Sequence, residues 1–415
     1  MKKSLWKNSV WIIFLIVMAL LIPSTISMPA QTETRSVSVA LGFDKTEDNE
    51  IELSTKIIVP QFNTTYNQNS QVISATGTSV LDALSNMSIH LGKVIGLSHC
   101  SAIIISKDFE NDNIAVLLDE ISRSKRVNYN ALLIYTNGKS KDILDKATSI
   151  SRDFTQNIFD IVEYNQNSIN AKILYLSDFY RTYYDNHGAS LMPILNISKT
   201  DTDGLSSITQ LQGGGGEDGA SQTQSQSGQN QKEYLSNNGE TAVIKNGKYL
   251  SKLSTDEVRG FGFMTNESNK GVIKLTDITD DKLNHADMIF SLRNRTLNSW
   301  TTFSRQGIPQ IHYKIICDVK LEQIVDELDK KSMVNETQNF ISPVVYSKFS
   351  DTVKSICAKA IEKSKQDNFD ALDIYTKFDR FNHNEWQQYL AKLENADNYI
   401  QNVEFYMEVV MRNVD

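Results

Sequence analysis

Residues able to do chemistry are present but never grouped. The six histidines are dispersed, and neither His-x-x-x-His nor Cys-x-x-Cys occurs, so the spacing of a zinc site is missing. Gly-x-Ser-x-Gly is also absent. "LSHCSA" sets His99 beside Cys100, but neighbours on a strand point to opposite faces and cannot act as a pair; packing is the expectation for both. Asp256 and Glu257 in "STDEVRG" read as favourable charges in the first turn of a helix, with Arg259 as a buried anchor for them. The run Gly213–Gly216 is no phosphate loop, because no Gly-Lys-Ser/Thr follows and no strand leads into it. These absences predict a protein without catalytic, metal or cofactor-binding residues.

The cysteines read as core. Cys317 in "YKIICDVKL" shares a strand face with Ile315 and Val319. Cys357 in "VKSICAKAI" lies four residues from both Val353 and Ile361 on a helix's apolar side, and Cys100 opens "CSAIIIS". Free cysteine packs as a small hydrophobe; the sequence leaves a Cys317–Cys357 bridge open. An aromatic stripe at Phe179, Tyr180, Tyr183 and Tyr184 has the spacing of one helix side. It could hold a ligand, though core or inter-domain packing is the commoner use of such a stripe.

The elements that must carry these residues alternate along the chain. "SVSVALGFDKTEDNEIELSTKIIVPQ" predicts a β-hairpin turning at Glu47–Asn49. A helix starts at Ser79, with Asp82 three residues on. The strands "CSAIIISKDF" and "NYNALLIYTNG" alternate with the helices "NDNIAVLLDEISRSK", capped by Asp112 or Asn113, and "KSKDILDKATS". Further helices follow at "SRDFTQNIFDIVEYNQ" and "YLSDFYRTYYDN", and "ASLMPILNIS" is extended. Past a Gly/Ser/Gln-rich stretch, "ETAVIKNGKYLSKL" is a hairpin around Asn246–Gly247. "STDEVRGFGFM" is a short helix running into Gly260. Long strands, a long helix from "SPVVYSK", two shorter helices and the terminal strand "NVEFYMEVVMRN" complete the pattern. The fold class is α+β and multi-domain, with mixed sheets each packed against helices. The expected divisions are 1–32, a signal peptide or membrane anchor; 36–199, an α+β domain; 200–238, a flexible linker or loop; and 239–413, one or two further α+β domains.

At 415 residues, with 40% hydrophobic content, the chain can bury more than one core. Its net charge of −8 argues against nucleic acid, which demands clustered Lys and Arg. The N-terminus carries Lys2, Lys3 and Lys7 and then an unbroken apolar run: Val10, Trp11, Ile12, Ile13, Phe14, Leu15, Ile16, Val17, Met18, Ala19, Leu20, Leu21 and Ile22. That length suits a signal-peptide core and falls short of the ~20 residues of a full span. No charge intervenes between Lys7 and Glu33, however, and the small-residue cleavage positions are poor. A retained anchor is the favoured reading and cleavage the other. Either places the remainder outside the cytoplasm.

The order of blocks resembles the C subunit of bacterial spore germinant receptors, the GerAC-type germination proteins. The resemblance rests on "VSVALGFDKTEDNEIELSTKIIVP", with Gly42 and Asp44, and on "TGTSVLDALSNMSIHLGKVIGLSHCSAIIIS", with Gly77 and His99. "SRSKRVNYNALLIYTNGKSKDIL" and "AVIKNGKYLSKLSTDEVRGFGFM", with Glu257, Arg259 and Gly260, continue it, and the C-terminal helices and strand close it. It spans about residues 36–413. Members are similar in being extracytoplasmic, non-enzymatic α+β proteins that act with two integral-membrane subunits to trigger germination by small nutrients. The resemblance therefore implies those subunits and the membrane as partners, and a small nutrient germinant as ligand of the assembly. The family carries a lipid-bearing cysteine after its apolar run; here the first cysteine is Cys100, so anchoring falls to the apolar segment or to partners. The alternative function is an extracytoplasmic solute-binding protein that closes two lobes on a small ligand.

Overall fold

The structure, a computed structural model, describes residues 35–59, 69–123, 127–146, 158, 160–162, 169, 172–185, 187–200, 232–265, 270–280, 285–325 and 341–414. The apolar run Val10–Ile22 and the glycine-rich stretch 213–231 lie outside them, as does Phe154. Among the described residues no helix is long and apolar enough to cross a membrane.

The first half is built on one mixed sheet. β1 (Arg35–Lys45) and β2 (Ile51–Val59) form the expected hairpin, with Asn49 in the left-handed region at its turn. β3 (Asn69–Gly77) adds antiparallel to β2. On the other side β5 (Ala102–Ser106) and β6 (Leu132–Thr136) run parallel to β1, which also pairs with the short β4 (Val94–Gly96). "AIIIS" and "LLIYT" are buried at every position, as continuous apolar runs must be when both faces of a parallel sheet are covered. α1 (Val80–Leu91) and α2 (Ile114–Arg123) cover one face. The Ser79 hydroxyl accepts from the Asp82 amide to start α1, and the Asn113 side chain accepts from the Ala115 amide at the start of α2. α3 (Ser140–Lys146), Ile158 and Val162 cover the opposite face.

α4 (Leu176–Tyr184) then leads into β7 (Ala189–Pro193) and β8 (Asn196–Thr200). β8 pairs with β9 (Lys232–Ser236), so the span expected to be linker holds a strand at its end. Leu235 is buried there, and one anchoring leucine in a polar window was too little signal to see. β10 (Thr241–Lys245) and β11 (Lys248–Leu253) form the expected hairpin, Asn246 and Gly247 both at positive φ as its two-residue turn requires. β7 pairs with β10, so this small sheet takes a strand from each half of the chain. Its two faces serve different cores. Met192, Ile194, Ala242 and Ile244 pack with the first sheet and its helices, and Leu191 and Val243 with the C-terminal layer.

That layer is a sheet in the order β12 (Gly271–Ile278), β13 (Ala286–Phe303), β14 (Pro309–Val325), β15 (Glu404–Asn413), with β15 parallel to β14. Alternate residues of β14, Ile311 to Leu321, face α6 (Pro343–Gln366). α5 (Thr255–Met264) crosses α6 and does not stop at Gly260: the helix carries both Gly260 and Gly262 inside it. Gly260 is required by the crossing, because a Cβ there would lie 2.5 Å from the Ile356 carbonyl oxygen and 2.6 Å from the Ala360 Cβ. α7 (Ile374–Phe381) and α8 (His383–Leu390) close one end around the fully buried Trp386.

Candidate functional site

The residues marking the sequence blocks sit far apart in function and act on the fold. Gly42 lies under α3, where a Cβ would meet the Ser140 hydroxyl. Asp44 is fully buried and accepts from the Ser140 amide at 2.7 Å, the Ser140 hydroxyl at 2.8 Å and the Lys141 amide at 3.1 Å. It thereby saturates the first turn of α3 from a neighbouring strand, with its negative charge at the positive helix end. Lys56, on the adjacent strand, donates to the Leu144 carbonyl at 2.7 Å at the other end of α3. Burial brings its pKa down to about 8, against the opposing pull of Asp145. Gly77 admits the backbone of Ala83.

Two expectations are corrected. His99 is exposed in the turn before β5 and does not pack; Cys100 alone enters the core, its thiol donating to the Ala102 carbonyl. The run "GLSH" reverses the chain, so strand alternation does not reach His99. Arg259 does not anchor the neighbouring carboxylates. Its guanidinium donates to the Val272 carbonyl of the edge strand β12 at 2.8 Å, while Asp256 pairs with Lys359 of α6 and Glu257 accepts from the amide and hydroxyl of Ser254. The same contact covers part of an open sheet edge. Cys317 and Cys357 are both free, and so is Cys100. Burial pushes the Cys100 and Cys317 thiols up to about 12, and Cys357 higher still.

A cleft forms instead where the two halves meet. It has a volume of about 170 Å³ and is lined by Arg181, Thr182 and Asp185 at the end of α4, by His187 and Gly188, and by Asp370, Asp373, Tyr375 and Thr376 at the start of α7. The His187 and Tyr375 rings stack across the junction at 3.6 Å. The Ala189 amide donates to the Asp370 carbonyl at 2.7 Å, and the Tyr399 hydroxyl reaches both the His187 carbonyl and the Asp370 carboxylate. Asp370 is 3% exposed; desolvation raises its pKa against the amides of Tyr375 and Leu372 that bond it. At about 170 Å³ the cleft is smaller than the ~300–1,000 Å³ usual for small-molecule pockets.

The sequence flagged the helix that forms one wall but the wrong side of it. Phe179, Tyr180, Tyr183 and Tyr184 stack among themselves, whereas Arg181, Thr182 and Asp185 face the cleft. His187 and the Asp370–Thr376 segment carried no sequence signal beyond turn composition, because their meeting depends on chain distant by some 180 residues.

Comparison with known proteins covers both halves. Residues 30–197 match the spore germination protein N-terminal domain, and residues 239–412 match the spore germination B3/GerAC-like C-terminal domain. YfkR of Bacillus subtilis, described as a spore germination protein, is 24% identical over 133 residues, 32% of this chain and 34% of that protein. The chain thus aligns with about a third of that relative's length. The crystal structure of the GerBC protein has the same fold, with a TM-score of 0.51 over 91% of this chain and 97% of the other at 14% identity.

Proposed function

The chain belongs to the GerAC-type family of spore germination proteins, and from that premise we propose that it is a non-enzymatic, extracytoplasmic subunit of a membrane germinant-receptor complex. The observation that carries this reading is the succession of both germination domains, in order, along almost the whole chain. Its partners are two integral-membrane receptor subunits, and its task is to couple a nutrient signal to germination. The apolar run Val10–Ile22, lacking a lipid-bearing cysteine, serves as a retained anchor; a mature chain beginning near Met28 or Gln31 by intact mass refutes that point alone.

Deletion of the gene tests the reading. Sporulation stays intact and the response to particular nutrients is lost, and affinity capture from membranes recovers two polytopic partners. Normal germination in every nutrient sinks it.

A further inference from the structure

The 4-stranded sheet of the C-terminal half has two edge strands, β12 and β15, and they are finished differently. β12 is broken by a register shift between Leu275 and Ile278, with Asp277 at positive φ, and Arg259 bonds its Val272 carbonyl. Bulges and covering side chains are the usual means of blunting an edge. β15 has neither. Its pairing with β14 runs without a shift from Glu404 to Asn413, and it contains no proline, glycine or lysine. No backbone hydrogen bond among the described residues reaches its outer side. Alternate N–H and C=O groups along Glu404–Asn413 are therefore left open as a template for one more strand.

The side chains of β15 say which strand fits. On the sheet face away from α6 it carries Glu404, Tyr406, Glu408, Val410 and Arg412. Glu408 is paired with Lys314 at 2.7 Å. Glu404 accepts from the Gln310 side-chain amide at 2.7 Å and the Tyr406 hydroxyl at 2.9 Å, but forms no ion pair among the described residues. Arg412 forms none either, since Asp318, in register with it on β14, lies against Asn294. The uncompensated charges of the strand are thus opposite in sign and stand at its two ends. An antiparallel copy of the same strand, with the two-fold axis at Glu408, sets Glu404 of each copy against Arg412 of the other.

The same register matches the remaining side chains, because directly opposite residues of an antiparallel pair share a face. Tyr406 meets Val410, a favourable aromatic and β-branched pair. Tyr406 ends a row of stacked rings across the sheet, Trp300 on His312 at 5.2 Å and His312 on Tyr406 at 5.0 Å, and is 46% exposed. On the core face Phe405 meets Met411 and Met407 meets Val409, continuing the apolar layer against α6. The one like-charge contact, Glu408 against Glu408, is offset by a Lys314 from each copy. Moving the axis to Val410 would pair only Met407–Asn413 and leave Glu404 and Tyr406 unmatched.

We propose that two copies of this chain associate through β15, antiparallel about Glu408, and join their C-terminal sheets into one. This pairing stands apart from the receptor reading, so a germination phenotype neither supports nor removes it. Sedimentation equilibrium of the full-length protein in a non-ionic detergent is the test. A reversible dimer is expected. Its dissociation constant should rise about tenfold or more with Arg412→Glu and with Glu404→Arg, each of which turns two attractive pairs into repulsive ones. Combining Glu404→Arg with Arg412→Glu recreates both pairs and should restore the dimer, a result that damage to the fold could not give. A monomer at every concentration, a dimer indifferent to both reversals, or a combined variant no better than the single ones overturns the proposal.

Discussion

Gly260→Ala sets two physical effects against each other with opposite signs. In the interior of a helix, alanine is favoured over glycine by about 1 kcal/mol, so propensity alone makes the variant more stable. The crossing of α5 and α6 argues the reverse. The new Cβ would stand 2.5 Å from the Ile356 carbonyl oxygen and 2.6 Å from the Ala360 Cβ, where relaxed carbon contacts lie near ~3.5–4.0 Å. Relief requires α5 to retreat by about 1 Å, loosening Val258, Phe261 and Met264 in the C-terminal core. Overpacking costs roughly 1–3 kcal/mol, and an approach this close to a backbone oxygen that cannot move aside takes the upper part of that range, about 2–3 kcal/mol, so that after the ~1 kcal/mol gained in propensity a net loss of about 1–2 kcal/mol remains. Urea unfolding of the full chain, followed by Trp fluorescence, reads the core concerned because Trp386 lies in it. The midpoint should fall with no change in slope. Adding Ala360→Gly removes only the Cβ contact and leaves the Ile356 carbonyl in place, so it should not restore the wild-type midpoint. An unchanged or higher midpoint for Gly260→Ala refutes the steric account.

Asp44→Asn removes the charge that holds the first turn of α3 and should cost about 1.5–3 kcal/mol in thermal or urea unfolding. Asp48→Asn in the exposed turn should cost nothing, and equal effects would deny Asp44 its capping role. Lys56 has a folded pKa lowered to about 8 from 10.5, so between these values the unfolded chain holds a proton that the native one has released. Stability contributed at this site therefore rises with pH across that window. The stability difference between wild type and Lys56→Met should shift in favour of wild type by roughly 2–3 kcal/mol from pH 7.5 to 10, and a flat difference contradicts it. All three thiols are buried, with pKa values raised by burial. Ellman's reagent at pH 8 should find none in the native protein and three after denaturation; fast native labelling would be inconsistent with the packing described.

Local signals carried most of the fold. The Asn246–Gly247 turn, the Ser79 cap and the alternation of β14 are each decided within a few residues, where turn chemistry and side-chain period act directly. What failed was decided at a distance. Gly260 reads as a helix breaker until α6 supplies the reason for a missing side chain. Arg259 next to Asp256 and Glu257 reads as an ion-pair network, but Lys359 and the Val272 carbonyl arrive from elsewhere in the chain and take those bonds. The cleft was least legible of all, since its two walls come from α4 and α7 and neither wall is distinctive alone.

The same division separates family membership from function. Gly42, Asp44, Gly77, Glu257 and Gly260 each do local structural work: close approach beneath α3, saturation of its first turn, admission of α1, capping of α5 and the crossing with α6. Residues of this kind support the fold, each making or admitting a contact between two elements. β7 and β10 extend the argument. Their small sheet offers one face to each core, so the two halves share strands, and a rigid-body hinge between them would have to break the β7–β10 ladder. A solute-binding protein that closes its lobes needs such a hinge; this architecture resists it.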